Sequence, residues 1–340
     1  PHAILCSGTS DSEISDNTIT NIAPEDAWGA GIRCGDQSLR NRILRNRIAG
    51  TGRGGIFTNS GATDAVISGN SITGSGGIGF AIEVHSGSVR TVVEDNTVDH
   101  GLSIVSANCA VRRNTVTDPG GTWKAYGIEG GGGPDGVVTD NVIDQGQKMG
   151  ISLSGPQRYM LWARNRFLNC NTWGIQIQGP SAADPIRCLY FYANTFAKVS
   201  KGHPEAQYPG SEGHAIRFND HAAHIVFDGN QVTDNAGLAV QITSGNDVNA
   251  LYFRNNVFRN NRDGVINRYP GDTVLWEGNQ EIGNGAGGVA MATRGAVAAA
   301  PTASFSAPAQ VRVGQPVAFR NTSTVAGGDI DHVLWDFGAG

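Results

Sequence analysis

The chain has 340 residues, of which 39% are hydrophobic and 16% are charged, and its formal net charge is -5 with a pI near 5.9. This acidic balance excludes the basic surface that binding to phosphates requires, so we expect no nucleic-acid partner. No apolar run approaches the roughly 18 residues of a membrane-spanning helix, so we expect no membrane span. The 48 glycines, about twice the usual share of roughly 7%, indicate many turns.

A short phrase recurs from the start of the chain to about residue 285: an apolar residue, two mostly polar residues, Asn, one further residue and a second apolar residue. Repeats of this length are typical of solenoid coils. Residues at one position of successive coils lie about 4.8 Å apart, so we expect the asparagines to form a hydrogen-bonded ladder with a structural role. They are Asn17, Asn46, Asn70, Asn96, Asn114, Asn141, Asn165, Asn194, Asn230, Asn256 and a weaker Asn279.

Each repeat also contains a second phrase, usually Gly or Ala, then Ile or Val, then a variable residue, from GIR at 31–33 to VIN at 265–267. These segments are short and have no helix-length apolar period, which excludes leucine-rich and helical solenoids. The sequence therefore predicts an all-β protein, a right-handed parallel β-helix of about eleven coils over residues 1–285. AILC aligns with GIRC, so we expect Pro1 to lie inside a coil that begins earlier.

Three residues before each Asn lies a column that we expect to point inward. It changes from aliphatic to aromatic along the chain, from Ile14 to Trp162 and Trp276, which predicts a stacked core. The residue one position earlier is also apolar, as in Val66, which predicts either a covered outer surface or a bend in the strand. The five scattered cysteines have no CxxC spacing, so we expect neither a disulfide framework nor a zinc site. Cys6 is expected to stack on Cys34.

Residues 286–302 are an Ala/Gly-rich linker. Residues 303–340 resemble the first half of a PKD-type β-sandwich module, through Gly314 to Val317 and through Trp335, Asp336, Phe337 and Gly338. Ala339 and Gly340 stand where that family usually has Asp-Gly, and the chain stops in mid-domain. Such modules are common in secreted or surface proteins that act on carbohydrates or peptides. The resemblance therefore implies a secreted or cell-surface protein.

The repeats of residues 1–285 resemble the right-handed parallel β-helix superfamily of pectate lyases and polygalacturonases. This resemblance implies a polysaccharide or oligosaccharide partner and leaves the reaction open. The oligomeric state is also open.

The variable residues form an outward strip of amides, carboxylates and guanidinium groups, as a hydroxyl-rich ligand requires. We expect substrate contacts from this strip and from the loops that wall it. The candidates are Arg33, His100, Ser103, Trp123, Lys124, Tyr126, Gln176, Gln178, Tyr208, His214, Arg217 and Asn219. Trp123 and Tyr208 are candidate platforms for sugar rings.

Glu83, His85, Glu129 and Asp99 are the candidate catalytic residues. The coil between Glu83 and Glu129 is the shortest, which predicts a notch over Ser103, with Asp99 and His100 facing it. Glu83 and Glu129 lie two coils apart, roughly 9 to 10 Å between backbones, so their carboxyl groups are candidates for the acid and base of an inverting glycosidase. The sequence does not assign the two roles.

Two alternatives remain open beside hydrolysis, which is slightly favoured. A polysaccharide lyase would take its base from Lys124, Arg217, His85 or His214, and Glu83, Asp99 and Glu129 could then hold Ca²⁺. Hydrolysis needs no cofactor, and no histidine spacing predicts a metal site. The other alternative is a non-catalytic carbohydrate-binding or surface-adhesion module, since the fold alone does not decide function.

Overall fold

The computed structural model describes residues 1–26, 28–75, 79–117, 126–144, 149–201, 213–243, 248–267, 273–287, 304–308 and 317–324. The chain divides into two units, Pro1–Met291 and Ala292–Gly340. The boundaries expected at 285 and 302 stay predictions.

The first unit contains 33 described strands. In chain order they are β1 (His2–Ser7), β2 (Glu13–Ser15), β3 (Thr18–Ile22), β4 (Ala30–Gly35), β5 (Arg42–Leu44), β6 (Arg47–Thr51), β7 (Gly54–Thr58), β8 (Val66–Ser68), β9 (Ser71–Ser75), β10 (Ile82–Val84), β11 (Val92–Glu94), β12 (Thr97–Val98), β13 (Leu102–Ile104), β14 (Ala110–Arg112), β15 (Thr115–Thr117), β16 (Tyr126–Glu129), β17 (Val137–Thr139), β18 (Val142–Asp144), β19 (Met149–Ser154), β20 (Arg158–Ala163), β21 (Arg166–Leu168), β22 (Trp173–Gln178), β23 (Ile186–Tyr192), β24 (Thr195–Ala197), β25 (His214–Asp220), β26 (Ala222–Asp228), β27 (Gln231–Thr233), β28 (Leu238–Ile242), β29 (Val248–Arg254), β30 (Val257–Arg259), β31 (Gly264–Ile266), β32 (Val274–Glu277) and β33 (Gln280–Ile282).

Every third strand belongs to the same parallel sheet, so three sheets of 11 strands run along the solenoid. We call them sheet A (β1, β4 and so on to β31), sheet B (β2 to β32) and sheet C (β3 to β33). The predicted parallel β-helix is confirmed. In the second unit, β34 (Phe305–Ser306) pairs antiparallel with β35 (Arg320–Asn321). Residues 314–316 and 335–338, which carry most of the PKD-type resemblance, lie outside the described residues.

The asparagine ladder is present as predicted and joins all eleven coils at the corner between sheets B and C. Oδ1 of Asn114 accepts hydrogen bonds from the backbone N (3.1 Å) and Nδ2 (2.9 Å) of Asn96 in the preceding coil. Nδ2 of Asn114 donates to Val93 O and to Oδ1 of Asn141, both at 2.9 Å. The coil from Asn96 to Asn114 spans only 18 residues. Each asparagine thus satisfies buried backbone groups of its neighbour.

The residue before each of these asparagines has a left-handed backbone, for example Asp95 (φ 56°) and Arg113 (φ 54°). This conformation costs free energy for residues other than Gly, and hydrogen bonds of the corner offset the cost. In register across two coils, Arg113 donates to the Asp95 carboxylate at 2.8 and 2.9 Å. Arg164 pairs with Asp140 in the same way, and its hydrogen bond is the main reason that the pKa of Asp140 is lowered.

The predicted inward column is buried and its aromatic part is stacked. Phe191 and Phe227 have ring centroids 4.5 Å apart and planes inclined by 3°, and Phe253 continues the stack at 5.0 Å. Cys6 and Cys34 stack in register on β1 and β4, as predicted. The apolar outer column of sheet B is half-buried rather than covered: it comprises Val66, Val92, Ala110, Val137, Leu161, Tyr190, Val226, Tyr252 and Leu275.

Candidate functional site

The outward face of sheet A carries the strip of variable residues in the register that the repeats predict. Successive strands pair Arg33 with Phe57, Phe57 with Glu83, Glu83 with Ser103, and Ser103 with Glu129. Farther along, Ser152, Gln176, Arg217 and Gln241 continue the same column. Buried residues on either side, mostly Ile, Leu or Val, fix this orientation, because successive side chains of a strand point to opposite faces.

A surface depression of about 280 Å³ lies over the shortest coil. It is lined by Arg53, Gly79, Phe80, Glu83, His85, Ser103, Val105 and Glu129. Glu83, His85 and Glu129 thus share one depression, with the small Ser103 between the two glutamates. The depression therefore combines charged groups, an exposed imidazole and an aromatic ring.

Glu83 is held by a bidentate ion pair with Arg53. The guanidinium donates to the two carboxylate oxygens at 2.8 and 2.6 Å, and the Glu83 side chain is only 7% exposed. The same guanidinium lies between two rings, 4.8 Å from the centroid of Trp28 and 4.7 Å from that of Phe57. Trp28 is 60% exposed. Arg53 is therefore fixed by a carboxylate and by two cation-π contacts, and it supports one face of an accessible indole.

Glu129 has a different environment. The hydroxyl of Ser103 donates to its Oε2 at 2.6 Å. Three residues before it, Tyr126 is stacked on Phe80 with ring centroids 6.3 Å apart. Burial and the nearby Glu129 charge raise the pKa of Tyr126, and a hydrogen bond with Ser152 acts in the opposite direction. The Tyr126 hydroxyl therefore stays protonated at neutral pH and can donate or accept a hydrogen bond.

Glu83 and Glu129 thus have different environments, which bears on their predicted roles as the acid and base of a glycosidase. An inverting glycosidase needs one protonated carboxyl group and one ionised one, separated by a water. Both oxygens of Glu83 accept hydrogen bonds from the Arg53 guanidinium, so this carboxylate is already engaged within the protein. Glu129 accepts one hydrogen bond, from the hydroxyl of Ser103. The arrangement supports recognition of a polar ligand more directly than it supports two-carboxylate hydrolysis.

Asp99 and His100 do not line the depression, which corrects the expectation that they face it. Asp99 Oδ2 accepts a hydrogen bond from the backbone N of Gly74 at 2.7 Å, because the short coil brings this carboxylate onto a turn of the preceding coil. His100 is buried, 8% exposed, and its Nδ1 lies 3.2 Å from the Asp99 carbonyl oxygen.

The strip beyond the depression carries amides and a second aromatic-guanidinium contact. Gln176 Nε2 donates to Gln178 Oε1 at 2.8 Å, and an Nη of Arg217 donates to Asn219 Oδ1 at 3.3 Å. The Arg217 guanidinium lies 4.0 Å from the Trp173 ring centroid. These residues are half-buried apart from the buried Trp173. Gln176 pairs with Arg217 as expected, whereas a register shift after Ile177 places Asp220, and not Asn219, opposite Gln178.

His214 is a correction to the predicted binding residues. It is only 2% exposed, and its Nδ1 accepts a hydrogen bond from Leu238 N at 2.8 Å. The ring therefore stabilises the adjacent strand and is not presented to a ligand. At the other end of the strip, Arg33 donates to Asn59 Oδ1 at 3.2 Å and lies 3.4 Å from His2 Nε2.

Trp123, Lys124 and Tyr208 lie outside the described residues. Sequence reasoning missed Arg53 and Trp28 as site residues. Trp28 belongs to the long loop APEDAWGA, and an aromatic residue in a loop that walls the strip is a signal that could have identified it. Arg53 gives no such signal, because its partner Glu83 is 30 residues away.

Comparison with known proteins places the fold in a family. Residues 66–288 match the family described as "Periplasmic copper-binding protein (NosD)". The chain belongs to this NosD family. Residues 2–98 also match the right-handed β-helix region. The finer resemblance to pectate lyases, and that of the C-terminal segment to a PKD-type module, stay predictions.

No curated protein matches the chain. A solved structure with a similar fold is that of the Streptococcus pneumoniae surface protein and adhesin PfbA, with 10% sequence identity and a TM-score of 0.40. The match covers 83% of this chain and 90% of that one. No helix of the described residues has the length and apolarity needed to cross a membrane.

The description of the NosD family names copper. Copper sites in proteins use His, Cys and Met side chains. Within the described ranges no three His, Cys, Asp or Glu residues lie close enough together to hold a metal ion. The stacked thiols of Cys6 and Cys34 are buried, and burial raises the pKa of Cys34, which disfavours the thiolate that a metal requires. The described residues therefore do not fit a copper site.

Proposed function

We propose that this protein is a carbohydrate-binding β-helix that receives a polysaccharide along the outward face of sheet A. The observation that carries the proposal is the Trp28 ring, 60% exposed and fixed over Arg53, beside a depression that contains the exposed His85 and two carboxylates. The family description supports a location outside the cytoplasm.

The physical argument begins with the aromatic ring. An aromatic face offers apolar area to the C–H groups of a sugar, and it binds best when the ring is already immobile. Trp28 is held from one side by the Arg53 guanidinium, which is itself fixed by Glu83 and by Phe57. The opposite face of the indole is then available to a ligand at little cost in conformational entropy.

The polar groups beside the ring supply direction. A sugar presents hydroxyl groups that both donate and accept hydrogen bonds, and the strip offers both functions. Glu129 and the Tyr126 hydroxyl lie on the side of Ser103 away from Glu83, and Gln176 and Gln178 follow along the solenoid axis. A ligand that lies along this axis would meet one coil after another, about 4.8 Å apart.

Hydrolysis is the second candidate, because Glu83 and Glu129 line one depression. It would use these two carboxyl groups as acid and base, one protonating the leaving oxygen and the other activating a water. Lyase chemistry loses one candidate base, because His214 is buried, and keeps another in His85, which lines the depression. Ca²⁺ would need several carboxylates in one place, and Asp99 is directed to another turn.

The test uses the full chain and a panel of neutral and uronic polysaccharides, with binding measured by calorimetry. Trp28→Ala is expected to weaken binding about tenfold, which corresponds to about 1.4 kcal/mol. The matched control is Tyr192→Ala, because Tyr192 is 44% exposed but lies on sheet B. The proposal fails if Trp28→Ala binds as well as the unchanged protein, or if both variants lose binding equally.

The same panel separates binding from catalysis. With Glu129→Gln, a binding protein keeps its affinity within a few-fold, whereas a hydrolase loses turnover by about two to four orders of magnitude. New reducing ends without a new double bond would indicate hydrolysis, and ultraviolet absorbance from an unsaturated product would indicate a lyase.

A further inference from the structure

Two cysteines occupy the same inward position of adjacent coils. Cys6 on β1 and Cys34 on β4 are directly in register. Both lie in the hydrophobic core, 7% and 1% exposed. The inward neighbours of Cys6 and Cys34 on the same strands, Ile4 and Ile32, are also in register, so both thiols belong to the same inward face.

This arrangement satisfies the main geometric condition for a cross-link. Adjacent strands of a sheet lie about 4.8 Å apart. Disulfides form between residues whose Cα atoms are about 4.4 to 6.8 Å apart and whose side chains leave the backbone on the same side. The two thiols also interact: the neighbouring Cys6 contributes to the raised pKa of Cys34, after burial as the larger cause.

We propose that Cys6 and Cys34 are a modification site and form a disulfide bond that joins the first two described coils of sheet A. On its other side Cys34 pairs with Thr58, and the coil position beside Cys109 is occupied by Gly132, so neither place offers a second thiol. The bond closes the loop between residues 6 and 34 and ties down β1, which stands at one end of the strand order of its sheet.

The oxidation needs an electron acceptor, which is a disulfide of a small molecule or of an oxidoreductase. One cysteine, as thiolate, attacks that disulfide and forms a mixed disulfide while one thiol leaves. The second cysteine then displaces the other thiol and forms the S–S bond between residues 6 and 34. In total two S–H bonds break, two electrons reduce the acceptor, and two protons end on its thiols.

Burial determines when this reaction takes place. A thiol with a raised pKa inside the core reacts slowly, because the thiolate is the nucleophile. The disulfide is therefore expected to form before the first coils have folded. It should persist once Ile4 and Ile32 have packed around it. A chain folded first under reducing conditions is expected to be oxidised slowly.

The experiment refolds the full chain in a buffer of oxidised and reduced glutathione and in a buffer with excess reductant. Each sample is then denatured and alkylated, and its free thiols are counted. The reduced sample is expected to give all five thiols, and the oxidised sample two fewer. Peptide mass spectrometry should identify a cross-linked pair containing residues 6 and 34 that is lighter than the two free peptides by two hydrogen atoms.

Two variants control the assignment. Cys34→Ala removes the difference between the two samples, whereas Cys109→Ala, another buried cysteine, keeps it. Circular dichroism checks that each variant retains its sheet content, and Cys6→Ala replaces Cys34→Ala if the latter does not fold. Five thiols in the oxidised sample, a cross-link between other cysteines, or a copper ion bound by both thiols without an S–S bond would each overturn the proposal.

Discussion

Replacing Asn114 by Ala removes one rung of the asparagine ladder without changing the outward surface. The substitution leaves the backbone N–H of Asn96 and the carbonyl of Val93 without these partners, and it also removes two bonds between side-chain amides. Asn114 is 1% exposed, so water does not readily replace it. Each buried polar group left unpaired costs about 1 to 3 kcal/mol, so the free energy of unfolding should fall by about 3 to 5 kcal/mol.

The assay is equilibrium unfolding in guanidinium chloride, followed by the intrinsic fluorescence of the six tryptophans, of which Trp162 is fully buried. Thr115→Ala is the matched control, since Thr115 is the next residue and is exposed. Asn17→Ala should have a smaller effect, about 1 kcal/mol, because the Asn17 side chain donates only to Ser15 O and Asn46 Oδ1. If Asn114→Ala shifts the midpoint no more than Thr115→Ala, the ladder does not stabilise the coils as argued here.

Three further predictions concern the depression and the corner ion pairs. Arg53→Met should lower the free energy of unfolding by about 2 to 3 kcal/mol. This is less than the about 3 to 5 kcal/mol usual for breaking a buried ion pair, because the Arg53 side chain is 23% exposed. In a double-mutant cycle, adding Glu83→Gln should recover part of the loss. Arg53→Met should also weaken carbohydrate binding although Trp28 is still present, because the indole loses its cation-π contact with the guanidinium. An unchanged affinity would mean that this contact is not needed to position Trp28. Asp140 has a lowered pKa in the folded state, so its pair with Arg164 stabilises the fold above the unfolded pKa of about 4. This contribution is lost as the pH falls through the folded pKa. Arg164→Met should therefore flatten the acid side of the profile of unfolding free energy against pH, and parallel profiles for the two proteins would contradict this.

The repeat pattern was sufficient to predict the β-helix, the ladder and the inward column, because each depends on residues that recur at one position of every coil. The positions of Asn114 and Phe227, for example, can be predicted from the register of their own coil alone. The pattern also predicted the order of residues along the outward strip, including the neighbours Glu83, Ser103 and Glu129.

The partners of the side chains could not be predicted, because they depend on how the corners turn. Arg53 reaches Glu83 from a corner one coil away, and Asp99 turns to the backbone of Gly74 rather than to the depression. His214 lies next to the strip in sequence, yet it is covered and bonded to the following strand. A periodic sequence predicts the coil to which a residue belongs and the sheet face on which it lies. Contacts between loops and strands can be predicted only when the three-dimensional path of each corner is known.

The short coil from Asn96 to Asn114 has a consequence for engineering. Thr97 pairs with Thr115 and Val98 with Val116, so excision of residues 97–114 would join Asn96 directly to Thr115 and remove one complete unit without shifting the next. The shortened molecule should keep its winding while Glu83 and Glu129 become immediate neighbours. The distance between these two glutamates can thus be adjusted in steps of one strand spacing, while both residues stay unchanged.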